Sequence, residues 1–209
     1  MKLNCDLGES FGRWHLGADA QVMPYIDQAN IACGFHAGDP LVMQQTLLLA
    51  KQHNVSIGAH PSYPDLVGFG RRSMTCSPEE IIAFTLYQVS AIDGMAKSLG
   101  LTLDYVKPHG ALYHDMMVDP QIMKAILTAL NQYQHADNKN KNPLKLMIQA
   151  TPAFAQYQQN ARAFTIELLS EAYADRCYQD NGTLVSRSIE GAVHGKEKML
   201  AQVKQLIDH

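Results

Sequence analysis

Residues 29–40 read Ala29-Asn30-Ile31-Ala32-Cys33-Gly34-Phe35-His36-Ala37-Gly38-Asp39-Pro40, and this stretch decides the fold. Its first part is short, apolar and partly β-branched, which predicts a strand over Ala29–Cys33. Its last two residues, Asp39-Pro40, are typical of a helix start, because an aspartate can cap free backbone N–H groups and proline suits the first helical position. The stretch therefore predicts one strand–loop–helix unit.

The same unit recurs along the chain. Strands are predicted over six short apolar runs: Lys2–Cys5, Ala29–Cys33, Ser56–Ala59, Leu103–Val106, Lys145–Ile148 and Phe164–Leu168. Helix starts are predicted at Asp39-Pro40, Ser77-Pro78, Asp119-Pro120 and Thr151-Pro152. Ser77 and Glu80 also form a capping box in front of an apolar stripe with helical period. Strands alternating with capped helices indicate a parallel sheet in a single domain over residues 1–209, either a closed barrel or an open doubly wound sheet.

Composition argues against several classes of protein. The chain has 209 residues, 46% of them hydrophobic, and a net charge of -3, so no basic surface for nucleic acid is expected. The four cysteines form no C-x-x-C pair, which argues against a zinc knuckle and a disulfide framework. The sequence shows no signal peptide and no apolar run of about 18–20 residues, so we expect a cytoplasmic protein without membrane contact.

Polar side chains follow four successive predicted strands. The first strand runs into Asn4-Cys5-Asp6-Leu7-Gly8-Glu9, the second into His36, the third into His60-Pro61 and the fourth into Lys107-Pro108-His109-Gly110. Functional groups of parallel β/α folds gather at the carboxyl ends of the strands. The sequence therefore predicts one rim on which histidines, carboxylates and a lysine meet.

Two kinds of chemistry fit this rim. In the first, a divalent metal with an open coordination position is held by Asp6, His36, His60 and His109. In the second, no metal takes part: Asp6 or Glu9 is the base, a histidine carries protons, and Lys107 stabilises developing negative charge. The sequence has no H-x-x-x-H or H-E-x-x-H spacing, which favours the second chemistry without excluding the first.

The segment Gly68-Phe69-Gly70-Arg71-Arg72 predicts an anion-binding loop. Glycines permit close backbone approach, and adjacent arginines can clamp a carboxylate or a phosphate. The segment is not a P-loop, because the chain has no G-x-x-x-x-G-K-[ST] motif. Residues 34–38 are not a dinucleotide fingerprint either. Nucleotide binding by this chain alone is therefore not predicted by a motif.

Seven segments taken together resemble the LamB/YcsF family. They are Asn4–Glu9, Ala29–Pro40, Ile57–Pro61, Pro64–Leu66, Gly68–Arg72, Val106–Tyr113 and Ala174–Tyr178. They keep the order and spacing of the family from Met1 to about Ala192, and the block over Ala29–Pro40 is highly specific.

The resemblance implies a fold and an activity. The fold is a distorted (β/α) barrel of about seven parallel strands, similar to the glycoside hydrolase/deacetylase superfamily. The activity is that of an ATP-dependent 5-oxoprolinase, which opens the lactam ring of 5-oxoproline to give glutamate, with this chain as the A component beside 5-oxoprolinase subunits B and C. ATP, with Mg²⁺, would be a co-substrate handled with those partners. Family members continue beyond residue 209 through another strand and a final helix, so we expect the barrel to lack its last strand.

The resemblance also implies roles for ten rim residues. The residues expected to be catalytic are Asp6, Glu9, His60, Lys107 and His109. Those expected to bind the substrate are Asn30, His36, Arg71, Arg72 and Tyr113. In this picture an arginine holds the substrate carboxylate, histidines carry protons and Lys107 stabilises the oxyanion.

Two other functions are compatible with the same rim. A metal-dependent carbohydrate or N-acyl deacetylase is suggested by the similarity of fold and by the Asp/His rim, and it would need a bound divalent ion and no ATP. A non-catalytic organising subunit would tolerate rim substitutions and would lose function only when its docking surface is changed.

Overall fold

The computed structural model describes residues 1–136, 143–185 and 189–208. Within these ranges the strands are β1 (Asn4–Leu7), β2 (Gln28–Ala32), β3 (Ser56–His60), β4 (Leu103–Val106), β5 (Lys145–Gln149) and β6 (Glu167–Glu171). The helices are α1 (Asp19–Val22), α2 (Pro40–His53), α3 (Pro78–Ser98), α4 (Gly110–Val118), α5 (Pro120–Ala136), α6 (Phe154–Arg162) and α7 (Lys196–Asp208), and a short 3-10 helix covers Met23–Tyr25.

The six strands form one parallel sheet in the order β1-β2-β3-β4-β5-β6. Sequential order excludes the doubly wound arrangement, in which the strand order reverses at a switch point. The α/β fold class of the (β/α)-barrel type is therefore confirmed. In the part of the chain that the structure describes, β1 and β6 do not pair, and six strands are present where about seven were expected.

The sheet is strongly curled. Neighbouring strands lie about 4.8 Å apart, so β1 and β4 would be separated by about 14 Å in a flat sheet. Nevertheless the Lys107 ammonium, which follows β4, lies 3.0 Å from Asp6 Oδ1 in β1 and 3.0 Å from Glu171 Oε2 at the end of β6. A single side chain reaches both only if the sheet bends around it, which defines a concave face lined by polar groups.

Helices pack on the outside of the curl, as α3 illustrates. Its capping box is present: Glu80 N–H donates to Ser77 Oγ at 3.2 Å, and Ser77 N–H donates to Glu80 Oε2 at 2.7 Å. The predicted apolar stripe is buried between α3, α5 and β3, including Ile81, Val89 and Ile92. Each of these side chains stabilises the fold by roughly 1.5–3 kcal/mol through burial.

The concave face carries a large ring opposite a glycine. Tyr105 in β4 pairs in register with Gly58 in β3, next to a register shift between Ile57 and Gly58. A Cβ atom on Gly58 would lie 2.2 Å from Cε2 of the Tyr105 ring, so only glycine leaves room for that ring. The Tyr105 hydroxyl, buried inside the curl, donates to Asn30 Oδ1 at 2.6 Å.

The predicted boundaries were wrong at both edges of the sheet. The first strand begins at Asn4 rather than Lys2 and runs to Leu7, so Asp6 lies within it. The last strand begins at Glu167 rather than Phe164. Phe164 N–H and Ile166 N–H both donate to Ala161 O, and this turn closes helix α6 before the strand starts.

The predicted helix start at Thr151-Pro152 was displaced by two residues. Helix α6 begins at Phe154, and its N-cap is Ala153. Thr151 Oγ1 accepts a hydrogen bond from Ala153 N–H at 3.3 Å, so the threonine forms a turn in front of the helix. The starts at Pro40, Pro78 and Pro120 are confirmed.

The cysteines and the helices agree with the expectations from composition. All four cysteines are free thiols, and complete burial raises the pKa of Cys33 to about 12. No helix in the described ranges is long and apolar enough to cross a lipid bilayer.

The contact of Tyr105 with Gly58 predicts the effect of adding a single methyl group. Gly58→Ala forces the ring to move and weakens its bond to Asn30, so the free energy of unfolding should fall by about 1–3 kcal/mol in urea denaturation. The matched control is Gly94→Ala in α3, where the added Cβ has no neighbour within 4 Å. That control should raise the stability by about 0.5–1 kcal/mol. Similar changes in the two variants would contradict the packing argument.

The capping of α2 predicts a pH-dependent contribution to stability. Asp39 Oδ1 accepts from Leu41 N–H at 2.8 Å and from Val42 N–H at 3.0 Å, and Oδ2 accepts from Gly12 N–H at 2.8 Å. These backbone bonds lower the pKa of Asp39. Its stabilising effect is therefore present above the unfolded-state pKa of about 4 and is lost as the pH falls through the lower folded-state pKa.

Accordingly, Asp39→Ala should lower the free energy of unfolding by about 0.5–2 kcal/mol at neutral pH. The difference from wild type should shrink near pH 3, because the carboxyl group then begins to protonate. Asp39→Asn, which keeps an oxygen acceptor, should stay closer to wild type at neutral pH. An unchanged difference at low pH would show that the charge does not contribute.

Candidate active site at the carboxyl ends of the strands

The predicted rim forms at one end of the curled sheet. β1 supplies Asp6, the loop after it supplies Glu9, and the loop after β2 supplies His36. β3 ends at His60, and Lys107 and His109 follow β4. Every one of these side chains contacts another member of the group, so the structure brings together the residues that sequence reasoning placed on one rim.

Lys107 is the centre of positive charge. Its three N–H donors face Asp6 Oδ1 at 3.0 Å, Glu171 Oε2 at 3.0 Å and Asn4 Oδ1 at 3.3 Å. Burial alone would lower the pKa of Lys107, but the neighbouring charges, with Asp6 first among them, hold it above its ordinary value. Since every donor is engaged, an oxyanion would have to replace one of these acceptors.

Asp6 is the accessible carboxylate of the rim. Oδ1 accepts from Lys107 and from Asn30 Nδ2 at 2.8 Å, while Oδ2 lies 3.4 Å from His60 Nε2. The side chain is 38% exposed, so water reaches it. Burial opposes ionisation, but the charges on His60 and Lys107 outweigh it and hold the pKa of Asp6 well below its usual range. Asp6 therefore stays ionised at neutral pH.

Asn30, expected to bind substrate, positions Asp6 in this structure. It is fully buried, and Nδ2 donates to Asn4 Oδ1 at 2.7 Å as well as to Asp6. Its remaining polar atom accepts from the Tyr105 hydroxyl. The amide is thus committed to protein partners on both sides, which fixes the orientation of the Asp6 carboxylate.

Three histidines and Glu9 form a compact cluster beside Asp6. His109 Nδ1 lies 3.0 Å from His60 Nε2 and 3.6 Å from Glu9 Oε1, and Glu9 Oε1 lies 3.2 Å from His36 Nε2. The rings of His36 and His109 are stacked, with centroids 3.8 Å apart and planes within 3°. Burial raises the pKa of Glu9 and lowers the pKa values of His36 and His109, the last to about 2.

Backbone carbonyls hold the outer nitrogens of two of these rings. His60 Nδ1 lies 2.6 Å from Lys107 O, and His109 Nε2 lies 2.9 Å from Phe69 O. Phe69 is in the glycine loop, which approaches the rings closely: a Cβ atom on Gly70 would lie 2.8 Å from His36 Cβ. The loop after β3 is therefore part of the site.

The two arginines of that loop have different surroundings. Arg72 forms an ion pair with the buried carboxylate of Asp65, which also accepts from Gly68 N–H at 2.9 Å. Arg72 therefore holds the loop rather than facing the rim. Arg71 is exposed and lies 5.2 Å from the centroid of the Phe69 ring. No carboxylate of the described residues lies within ion-pair distance of Arg71, so it is the arginine available to a ligand.

Sequence reasoning missed Glu171, Tyr173 and the partner role of Asn4. Glu171 is buried and accepts from the Tyr173 hydroxyl at 2.7 Å in addition to pairing with Lys107. Tyr113, expected to bind substrate, lies in the same buried group, with its ring centroid 6.5 Å from that of Tyr173. Because β6 was predicted to end at Leu168, Glu171 was not recognised as a residue at a strand end.

A cavity of about 570 Å³ opens at the other end of the sheet. Its lining includes Lys2, Gln28, Ser56, Asp104 and Lys145, which lie at or near the amino ends of the strands. In parallel β/α barrels, catalytic residues lie at the carboxyl ends and the amino ends contribute to stability. We therefore place the site at the histidine cluster and not in this cavity.

Known proteins resemble this chain over most of its length. The model of the LamB/YcsF family matches residues 1–209. A protein from Pseudomonas putida, named as the A component of 5-oxoprolinase, is 55% identical over 192 residues, which are 92% of this chain and 72% of that protein. Its counterpart of the same name from Vibrio cholerae is 50% identical over 207 residues, which are 99% and 80%. The crystal structure of a lactam utilization protein from Thermus thermophilus matches with a TM-score of 0.85 at 39% identity, covering 96% of this chain and 77% of that one.

The paired charges of the rim predict a large effect of neutralising Lys107. In Lys107→Met, Glu171 remains as a buried carboxylate without its cation, so the free energy of unfolding should fall by about 3–5 kcal/mol in urea denaturation. The double variant Lys107→Met/Glu171→Gln should recover at least about 1 kcal/mol of that loss. The surface control Lys124→Met should stay within about 0.5 kcal/mol of wild type. A double variant less stable than the single one would contradict this pairing.

Proposed function

This chain belongs to the LamB/YcsF family, and from that premise we propose that it is the A component of an ATP-dependent 5-oxoprolinase, which opens the lactam ring of 5-oxoproline to give glutamate. Two relatives that carry this name, at 50% identity or more over nine tenths of the chain, support the proposal. The single structural observation that carries it is an ionised, water-accessible Asp6 held between Lys107 and His60.

The chemistry accounts for the need for ATP. A lactam carbonyl is a poor electrophile, and transfer of the γ-phosphoryl group to its oxygen gives an activated imidate. Water then adds to the ring carbon, the ring C–N bond breaks as its nitrogen takes a proton, and a second water releases phosphate to leave glutamate. This chain has no nucleotide-binding motif, so we assign phosphoryl transfer, with ATP and Mg²⁺, to subunits B and C in the cytoplasm.

We assign the ring-opening step to this chain, with Asp6 as the base that orients and deprotonates the attacking water. Asp6 is 38% exposed, whereas Glu9 is 16% exposed and paired with His36. Asp6 is therefore the carboxylate better able to contact water and substrate together. His60, 3.4 Å from Asp6 Oδ2, can pass the proton towards the ring nitrogen.

We assign recognition of the substrate carboxylate to Arg71. Its guanidinium is exposed at the edge of the rim and stacks over Phe69, whose carbonyl contacts His109. Arginine can bind a carboxylate through two parallel hydrogen bonds, which would orient the lactam ring towards Asp6. Arg72 is excluded from this role by its ion pair with Asp65.

The proposal predicts the activity of a reconstituted complex. Glutamate release from 5-oxoproline should require ATP, this chain, and subunits B and C together. Asp6→Asn should lower kcat by about 10²–10⁴-fold, because general-base assistance is lost. The matched control Asp180→Asn changes an exposed aspartate of a distant turn and should leave kcat unchanged.

The two parts of the proposal fail separately. If the wild-type chain with both partners and ATP releases no glutamate, the 5-oxoprolinase assignment is wrong. If glutamate is released and Asp6→Asn retains near-normal kcat with a wild-type melting temperature, the assignment stands and Asp6 is not the base.

A further inference from the structure

The hydrogen bonds of His60 and His109 fix where the lone pairs of these rings point. A carbonyl oxygen only accepts hydrogen bonds, so the hydrogen on His60 lies on Nδ1, facing Lys107 O, and the hydrogen on His109 lies on Nε2, facing Phe69 O. In the neutral rings the other two nitrogens then carry lone pairs, and they face each other at 3.0 Å. Two lone pairs at that distance repel unless a positively charged group lies between them.

Glu9 points a third donor atom at the same place. Its Oε1 lies 3.6 Å from His109 Nδ1, and the ligand atoms of Glu9, His60 and His109 lie within 4.8 Å of one another. Around a tetrahedral ion with bonds of about 2.0–2.1 Å, neighbouring ligand atoms are about 3.3–3.4 Å apart. The separations of 3.0 and 3.6 Å lie on either side of that value.

His36 belongs to the same cluster but cannot be a ligand together with His109. A ring nitrogen donates its lone pair in the plane of the ring. The two rings are parallel within 3° and 3.8 Å apart, so no point lies in both planes. His36 Nδ1 has no hydrogen-bond partner among the described residues, and Nε2 faces Glu9 Oε1 at 3.2 Å. His36 therefore donates to Glu9 and supports the ring of His109.

We propose that Glu9, His60 and His109 form a binding site for a divalent transition-metal ion, with one coordination position open towards Asp6. Each ligand has an outer partner that orients it: Lys107 O for His60, Phe69 O for His109, and His36 for Glu9. Such outer hydrogen bonds to carbonyls and from neighbouring side chains are typical of metal-binding histidines and carboxylates. Two imidazoles and a carboxylate with an open position suit zinc and cobalt rather than magnesium, which prefers oxygen ligands.

A proton between the two histidines is the competing explanation. It would make one ring an imidazolium inside a cluster that excludes most water, and burial disfavours that charge. His109 in particular is held neutral, since burial and the nearby histidines lower its pKa to about 2. A metal ion compensates the facing lone pairs and the Glu9 charge together, whereas a proton compensates only the first.

The test is metal binding by the chelator-treated full chain in the absence of substrate, so its result does not depend on 5-oxoprolinase activity. Titration calorimetry with Zn²⁺ should give one tight site, and Co²⁺ should give the intense visible absorption of a low-symmetry tetrahedral ion. His60→Gln, His109→Gln and Glu9→Gln should each weaken binding by more than about 100-fold. His36→Gln should weaken it by about 10–100-fold, as expected for an orienting residue.

The matched control is His114→Gln, an exposed histidine on α4, which should bind as wild type does. Circular dichroism of each metal-free variant shows whether it is folded, and Glu9→Gln, which preserves shape, decides the matter if a histidine variant is not. Binding of less than about a tenth of an ion per chain, or binding that survives Glu9→Gln and His109→Gln unchanged, would overturn the proposal and leave the shared proton as the explanation.

Discussion

A buried ammonium group between two carboxylates is the interaction on which the rest of the concave face depends. Lys107 Nζ is 3.0 Å from both Asp6 and Glu171, and removing any one of the three leaves an uncompensated charge out of water. The three residues belong to β1, the end of β4 and β6, which are not neighbours in the sheet. The same ion pairs therefore couple the curvature of the sheet to the ionisation of Asp6, so fold and site cannot vary independently.

Much of the fold could be predicted because its signals are local. The predicted strands β2–β5 agree with the observed ones within one residue at each end, and three of four Pro-marked helix starts are confirmed, since a cap and its helix are adjacent in sequence. The edges of the sheet failed for a tertiary reason. Phe164 and Ile166 are as apolar as strand residues, but both amides bond to Ala161 and end a helix. Local hydrophobicity does not distinguish a helix end from a strand start.

The site could be predicted as a rim but not as a set of contacts. Strand ends placed Asp6, His60 and His109 together, whereas the choice between Arg71 and Arg72 required the position of Asp65. Glu171 was hidden by the displaced strand, and the parallel stack of His36 on His109 depends on the close approach of Gly70. Ring orientation distinguishes a metal ligand from its support, and it is set by non-local packing that no spacing of histidines encodes.

The two oxygens of Asp6 join the two halves of the concave face. Oδ1 is committed to Lys107 and Asn30, which hold the carboxylate ionised and fixed in direction. Oδ2 is 3.4 Å from His60 Nε2, the same atom that faces His109. A water bound at Oδ2 would therefore stand between a fixed negative charge and the histidine cluster. Because Oδ1 is anchored in a charged network, Oδ2 cannot rotate away, and a substrate held by Arg71 would meet that water from one direction only.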